Sequence, residues 1–165
     1  MSESTPSASA ESLPIALASD HGGFHLKDDV RAFIEAAGYT VLDCGAFSDE
    51  STDYPDWARA GAEAVAEGRA ARAILLCGSG VGVTVAANKV RGIRACLCHD
   101  SYSARQGVEH DDMNVLCLGA RIIGRELAGD LVRNFLGATF SGEDRHCRRL
   151  QKVLDIEAAS LAGTR

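Results

Sequence analysis

The residues Cys77-Gly78-Ser79-Gly80-Val81-Gly82 join a short apolar, branched run, Ala73 to Leu76, to the start of a helix reaching about Lys89. Three alternate glycines allow backbone geometry that a Cβ would block. A thiol at such a junction lies beside unpaired backbone N–H groups and the positive end of a helix dipole, where it can serve as a base or a nucleophile. The same N–H groups can hold a phosphate or a developing oxyanion. The loop also begins as a dinucleotide fingerprint, G-x-G, but Val83 stands where a third glycine or alanine belongs, and the loop follows the third strand, not the first. Asp100, roughly 20 residues on, would suit the ribose contact of such a site. A nucleotide-binding, flavodoxin-like module therefore stays open beside a small phosphosugar or enolate site.

Three further groups carry chemistry. His110, in Glu109-His110-Asp111-Asp112, can gain and lose a proton near neutral pH, and it also reads as a solvated helix-end histidine. Asp20 and His21 follow the first strand, where Asp20 doubles as an N-cap for the next helix. Arg145 and Arg149 are four residues apart, on one face if that segment is helical. Two guanidinium forks so placed match a phosphate dianion, and they read equally well as a solvated basic turn. Arg121, after the fifth strand, is a third cation of this kind.

The elements that must position these groups alternate. Pro14 to Ser19 reads as a strand, Phe24 to Ala37 as an amphipathic helix stopped by Gly38, and Tyr39 to Cys44 as a second strand. Pro55 and the alanine-rich Ala58 to Ala66 make a second helix. After the third strand, Arg94 to Cys98 and Val115 to Gly119 read as strands. Helices near Ser101 to Glu109 and from Ile123 to Leu136 follow them. The pattern predicts an α/β fold, a Rossmann-like three-layer sandwich with a five-stranded parallel sheet and helices on both faces. In such sheets ligands bind beyond the carboxyl ends of the strands, which selects Asp20, His21, Asp43, Cys77 to Gly82, His99, Asp100 and the Gly119 to Arg121 region.

Composition bounds the rest. The 165 residues, 46% of them apolar, suit one domain over about residues 14–160 after a flexible Ser/Ala/Glu-rich tail over residues 1–13. Formal charge is −6, which argues against a nucleic-acid surface. No apolar stretch is long enough to span a bilayer, and the first residues lack a secretory pattern, so a cytoplasmic protein is expected. The six cysteines then read as buried free thiols. Cys96-Leu97-Cys98-His99 lacks a second ligand pair for a metal.

Taken together, Asp20-His21-Gly22-Gly23, Thr52-Asp53-Tyr54-Pro55, Cys77 to Gly82, Ala86-Ala87-Asn88-Lys89, Gly92 to Ala95, Ser101 to Ala104, His110, Asn114-Val115-Leu116 and Arg145-His146 resemble ribose-5-phosphate isomerase type B, a group that includes galactose-6-phosphate and allose-6-phosphate isomerases. The likeness runs from about Ile15 to the late 150s. It implies an aldose–ketose isomerase without cofactor or metal, converting ribose 5-phosphate and ribulose 5-phosphate through an enediolate, or else a six-carbon sugar phosphate such as allose 6-phosphate. It implies Cys77 as the base, with no rival, since Val83 or Thr84 stands where some relatives carry a glutamate. The N–H groups from Gly78 through Gly80 and Val81 to Gly82 would hold the enediolate, and Ser79 would bond a sugar oxygen. His110 would open the ring, with Asp20 and Tyr54 assisting, and His21, Arg121, Arg145 and Arg149 would bind the phosphate end. Asp111 departs from the asparagine of many relatives, and a carboxylate there would contact sugar hydroxyls or shift the substrate. The resemblance also implies a homodimer or tetramer with shared sites, a C-terminal helix extending towards the partner, and His110, Asp111 and Arg121 supplied by the partner chain.

Overall fold

The computed structural model describes residues 13–163; the tail expected over residues 1–13 lies, Leu13 apart, outside the described residues. Strands and helices alternate through most of the chain: β1 (Ile15–Ser19), α1 (Phe24–Ala36), β2 (Val41–Asp43), α2 (Tyr54–Ala66), β3 (Arg72–Cys77), α3 (Val81–Ala87), β4 (Ala95–Leu97), α4 (Ser101–Asp111), β5 (Val115–Gly119), α5 (Arg125–Gly137) and α6 (Asp144–Leu161). The five strands form one parallel sheet in the order β2-β1-β3-β5-β4, as the fold class requires. β2 and β4 are shorter than their apolar patterns suggest. Both are edge strands, each paired on one side only and over three residues. Gly38 ends α1 as expected, with φ +91°.

Handedness decides which helix covers which face. Crossovers between parallel strands are right-handed, so a step in one direction across the sheet puts its helix on one face and a step back puts it on the other. The steps β1 to β2 and β4 to β5 run one way and place α1 and α4, with α5, over Ile15, Leu17, Ile74, Leu76, Leu116 and Leu118. The steps β2 to β3 and β3 to β4 run the other way and place α2 and α3 over the alternate residues Ala16, Ala18, Ala73, Leu75 and Cys117. That second face is built of small residues, so α2 sits close; a Cβ at Gly61 would come within 2.6 Å of Leu75 Cδ2.

After β1 the chain turns to one face and after β3 to the other. The crevice between these two neighbouring strands is the topological switch point where open α/β sheets bind ligands. Helix α6 stands apart from the sheet and rests on α4. Only its His146 is buried, while Val153, Ile156 and Leu161 are exposed. Among the described residues no helix is long and apolar enough to cross a membrane. Of the six free thiols, Cys77, Cys98 and Cys117 are buried and Cys44 is half-buried. Cys96 on the edge strand and Cys147 on α6 are exposed, which corrects the expectation of uniform burial.

Candidate active site

Cys77 ends β3, 5% exposed, and its Sγ accepts the backbone N–H of Gly80 at 3.0 Å. The loop closes this tightly because Gly80 takes φ +79°, where a Cβ would lie 2.4 Å from Leu97 Cδ1 and 2.9 Å from the Leu118 carbonyl carbon. Ser79 Oγ accepts the N–H of Val81 at 3.3 Å at the start of α3. The β5 loop is laced to this one, with Ala120 N–H donating to Cys77 O and Arg121 N–H to Gly78 O, both at 2.9 Å. Arg121 thus lies over Gly78, its Cδ and guanidine atoms 3.3 Å from where a Cβ would be.

The β1 loop closes the opposite wall. Asp20 is 7% exposed; its N–H donates to Leu76 O at 3.1 Å, and its Oδ1 accepts the Gly23 N–H at 3.0 Å. The capping expected of Asp20 therefore takes another form: Gly23 is the N-cap of α1, and Asp20 braces it from three residues upstream. Tyr54, at the start of α2, lays its ring against Gly82, so closely that a Cβ there would come within 2.9 Å. Asp20, Tyr54, Cys77, Gly78, Ser79, Gly82 and Arg121 share one cleft of about 350 Å³, which Ile122 completes. Ile122 went unread in the sequence, where only its position after β5 pointed to it.

His21, next to Asp20 on the same loop, stands outside this lining. Its Nδ1 accepts the Thr52 N–H at 3.2 Å, and Thr52 Oγ1 accepts the Trp57 indole N–H at 2.8 Å, so the histidine and the segment before α2 are tied together. Cys117 lies on the same face of the sheet as Cys77, but burial pushes its thiol up to about 12, which leaves it inert as a base near neutral pH. Asp100 is spent on its own helix, accepting the Ser103 N–H at 2.7 Å.

The remaining candidates gather elsewhere. α4 starts beyond the carboxyl end of β4 and runs back, so His110, nine residues in, lies about 14 Å along the helix axis. It sits near the amino ends of the strands, opposite Cys77. There its ring stacks on His146, with centroids 4.0 Å apart. Burial, then the neighbouring His110, Arg145 and Arg149, lower the His146 pKa against the pull of Glu143. Arg145 pairs with Glu143 at 3.0 Å, Arg149 is exposed on the same helix, and Asp111 is exposed at the end of α4. One chain thus brings Cys77, Asp20, Ser79, Tyr54 and Arg121 together and holds His110, Asp111, Arg145 and Arg149 at the other end of the sheet. Arg121, expected to arrive with His110, belongs to the Cys77 cleft of its own chain. No group of three or more His, Cys, Asp or Glu side chains able to hold a metal occurs among the described residues.

Residues 15–153 match the model of the Ribose/Galactose Isomerase family. Ribose-5-phosphate isomerase B of Escherichia coli is 46% identical over 143 residues, covering 87% of this chain and 95% of its own. D-erythrulose-4-phosphate isomerase 2 of Mycolicibacterium smegmatis is 41% identical over 150 residues, covering 89% of this chain and 99% of its own. Among solved structures, ribose-5-phosphate isomerase B of Clostridium thermocellum superposes with a TM-score of 0.86 at 46% identity, covering 90% of this chain and 99% of the other.

Proposed function

The chain belongs to the ribose/galactose isomerase family, and from that premise we propose that it interconverts D-ribose 5-phosphate and D-ribulose 5-phosphate. The observation that carries this reading is the Cys77 thiol, held under the Gly80 N–H in a cleft walled by Asp20, Ser79, Tyr54 and Arg121. In the open-chain aldose phosphate, the Cys77 thiolate takes the proton from C2 and returns it to C1. The negative charge that develops on the sugar oxygens meets the N–H groups of the Gly78 to Gly82 loop, which are fixed before the reaction starts. Ser79 Oγ bonds a sugar oxygen, and Asp20 and Tyr54 orient the chain.

The phosphate end lies towards Arg121, with His21 beside the cleft. His110 opens the furanose ring, and Arg145 and Arg149 complete the phosphate site. Since His110 and Cys77 lie at opposite ends of one sheet, these three come from a second copy of the chain, which makes a homodimer the smallest active unit. Asp111 travels with His110 and faces sugar hydroxyls, away from the phosphate it would repel. The mechanism requires no cofactor or metal, and the reading places the protein in the cytoplasm.

A nucleotide-binding module fits less well. Val83 interrupts the fingerprint, and Asp100, its ribose contact, already caps α4. A four-carbon substrate has a specific claim, because a relative 41% identical is named for erythrulose 4-phosphate. A panel of ribose 5-phosphate, allose 6-phosphate and erythrose 4-phosphate tests the assignment. The highest kcat/KM is expected on ribose 5-phosphate, and a higher value on either competitor overturns it.

A further inference from the structure

His110 is held by more than its backbone. Gln106, one helical turn earlier on α4, brings its Nε2 to 2.8 Å from His110 Nδ1. His146 of α6 lies flat against the imidazole, with planes 26° apart, and is itself 2% exposed with its Nδ1 2.6 Å from Ser141 Oγ. Ser141 donates its own N–H to Glu109 O at 2.9 Å, which ties the lead into α6 to the last turn of α4. The ring is fixed on one face by the stack and at one nitrogen by the amide.

An amide nitrogen can donate a hydrogen bond but cannot accept one. The atom it meets must present a lone pair, so the single proton of a neutral His110 sits on Nε2. We infer that Gln106 is a positioning residue that holds His110 as the Nε2–H tautomer, with that N–H turned to the ring oxygen of a cyclic sugar phosphate. This rests on the reading of His110 as the ring-opening group. In the step so arranged, the bond between C1 and the ring oxygen breaks and the ring oxygen takes the Nε2 proton. The anomeric hydroxyl loses its own proton to Nε2 as C1 becomes the aldehyde carbonyl. The net change is one proton moved from the anomeric oxygen to the former ring oxygen, with His110 restored and nothing oxidised or reduced. A neutral imidazole donating to a sugar-phosphate oxygen has the same logic as the neutral histidine electrophile of triosephosphate isomerase. A carboxylate at position 106 would instead accept from Nδ1–H and favour the imidazolium.

The test is a two-bond proton–nitrogen NMR spectrum of the 15N-labelled full chain near pH 7.5, with the His110 signals assigned by their loss in His110→Gln. The wild type is expected to show Nε2–H, Gln106→Leu a mixture of tautomers, and Gln106→Glu the charged ring. With the tautomer released, kcat on ribose 5-phosphate should fall about tenfold in Gln106→Leu while KM stays within about twofold, since the interaction is used in the transition state. An Nδ1–H or charged ring in the wild type overturns the inference, as does an unchanged tautomer in Gln106→Leu, whatever happens to its rate. A wild type that shows Nε2–H yet leaves ribose 5-phosphate untouched overturns the proposed function instead.

Discussion

The N–H of Gly80 points at Cys77 Sγ from 3.0 Å, so the same turn that shapes the glycine loop also solvates the sulfur. This donor takes up one side of the sulfur and fixes its place in the cleft.

If Cys77 is the base, Cys77→Ala removes the positioned group that moves the proton. Turnover of ribose 5-phosphate should fall about 10³-fold, within the range that positioned bases contribute, with a KM near that of the native chain. Cys77→Ser should be nearly as slow, since a hydroxyl is a far poorer base precursor than a thiol. Steady-state kinetics decide it, and near-normal turnover in the alanine variant removes the mechanism.

Gly80 itself is open to test. A Cβ there meets the left-handed conformation, costing about 1–2 kcal/mol, and also the backbone at Leu118 and at Gly119 N, 3.0 Å away, which cannot step aside as a flexible side chain would. Gly80→Ala should lower Tm by several degrees and reduce kcat more than KM, because the N–H on Cys77 moves. Gly68→Ala is the control, with a similar φ of +73° and nothing within 4 Å of its Cβ. Equal activity in both variants would show that the Gly80 N–H does not matter to the sulfur.

The separation of His110 from Cys77 leads to a mixing experiment. Cys77→Ala and His110→Asn should each be inactive alone. Unfolded together at equal amounts and refolded, they should recover about a quarter of wild-type activity, since half of the dimers are hybrids and each hybrid restores one of its two sites. Recovery absent from well-folded mixed dimers would mean that both residues serve the same chain's site.

Much of this arrangement was legible in the chain because it is local. The branched run before Cys77, the glycines after it, Pro55 and Gly38 each state their own backbone requirement. The remoteness of His110 is also countable, since a helix of this length must carry it back along the sheet. Arg121 was harder: it reaches Gly78 only because β5 lies between β3 and β4, and nothing near Arg121 encodes that strand order. Ile122 shares this dependence. Gln106 was within reach of the sequence, at the helical spacing that pairs it with His110, but a glutamine on a polar helix face gives no sign of what it holds.

The loop after β2 rests on a buried lysine. Lys27 is 2% exposed, and its Nζ donates to Asp43 Oδ1 and to Ala46 O, both at 2.6 Å. Asp43 also pairs with Arg31 and accepts the Gly45 N–H at 2.9 Å. Burial alone would raise the Asp43 pKa, but the hydrogen bonds from Lys27 and Gly45, with the charges of Lys27 and Arg31, outweigh it and hold the carboxyl below its ordinary 3.8. A carboxyl whose folded pKa is lowered stabilises the fold fully above the ordinary value and loses that contribution as pH falls through the lowered one. Asp43→Asn should therefore cost about 2 kcal/mol at pH 7, less than a fully buried pair because Asp43 is 26% exposed. The Tm gap between variant and wild type should narrow as pH drops below 3.8. The loop from Gly45 carries Thr52 to His21, so KM for the sugar phosphate should rise in the variant even where it remains folded. A Tm gap that persists undiminished into acid would assign the loss to packing instead of the Asp43 charge.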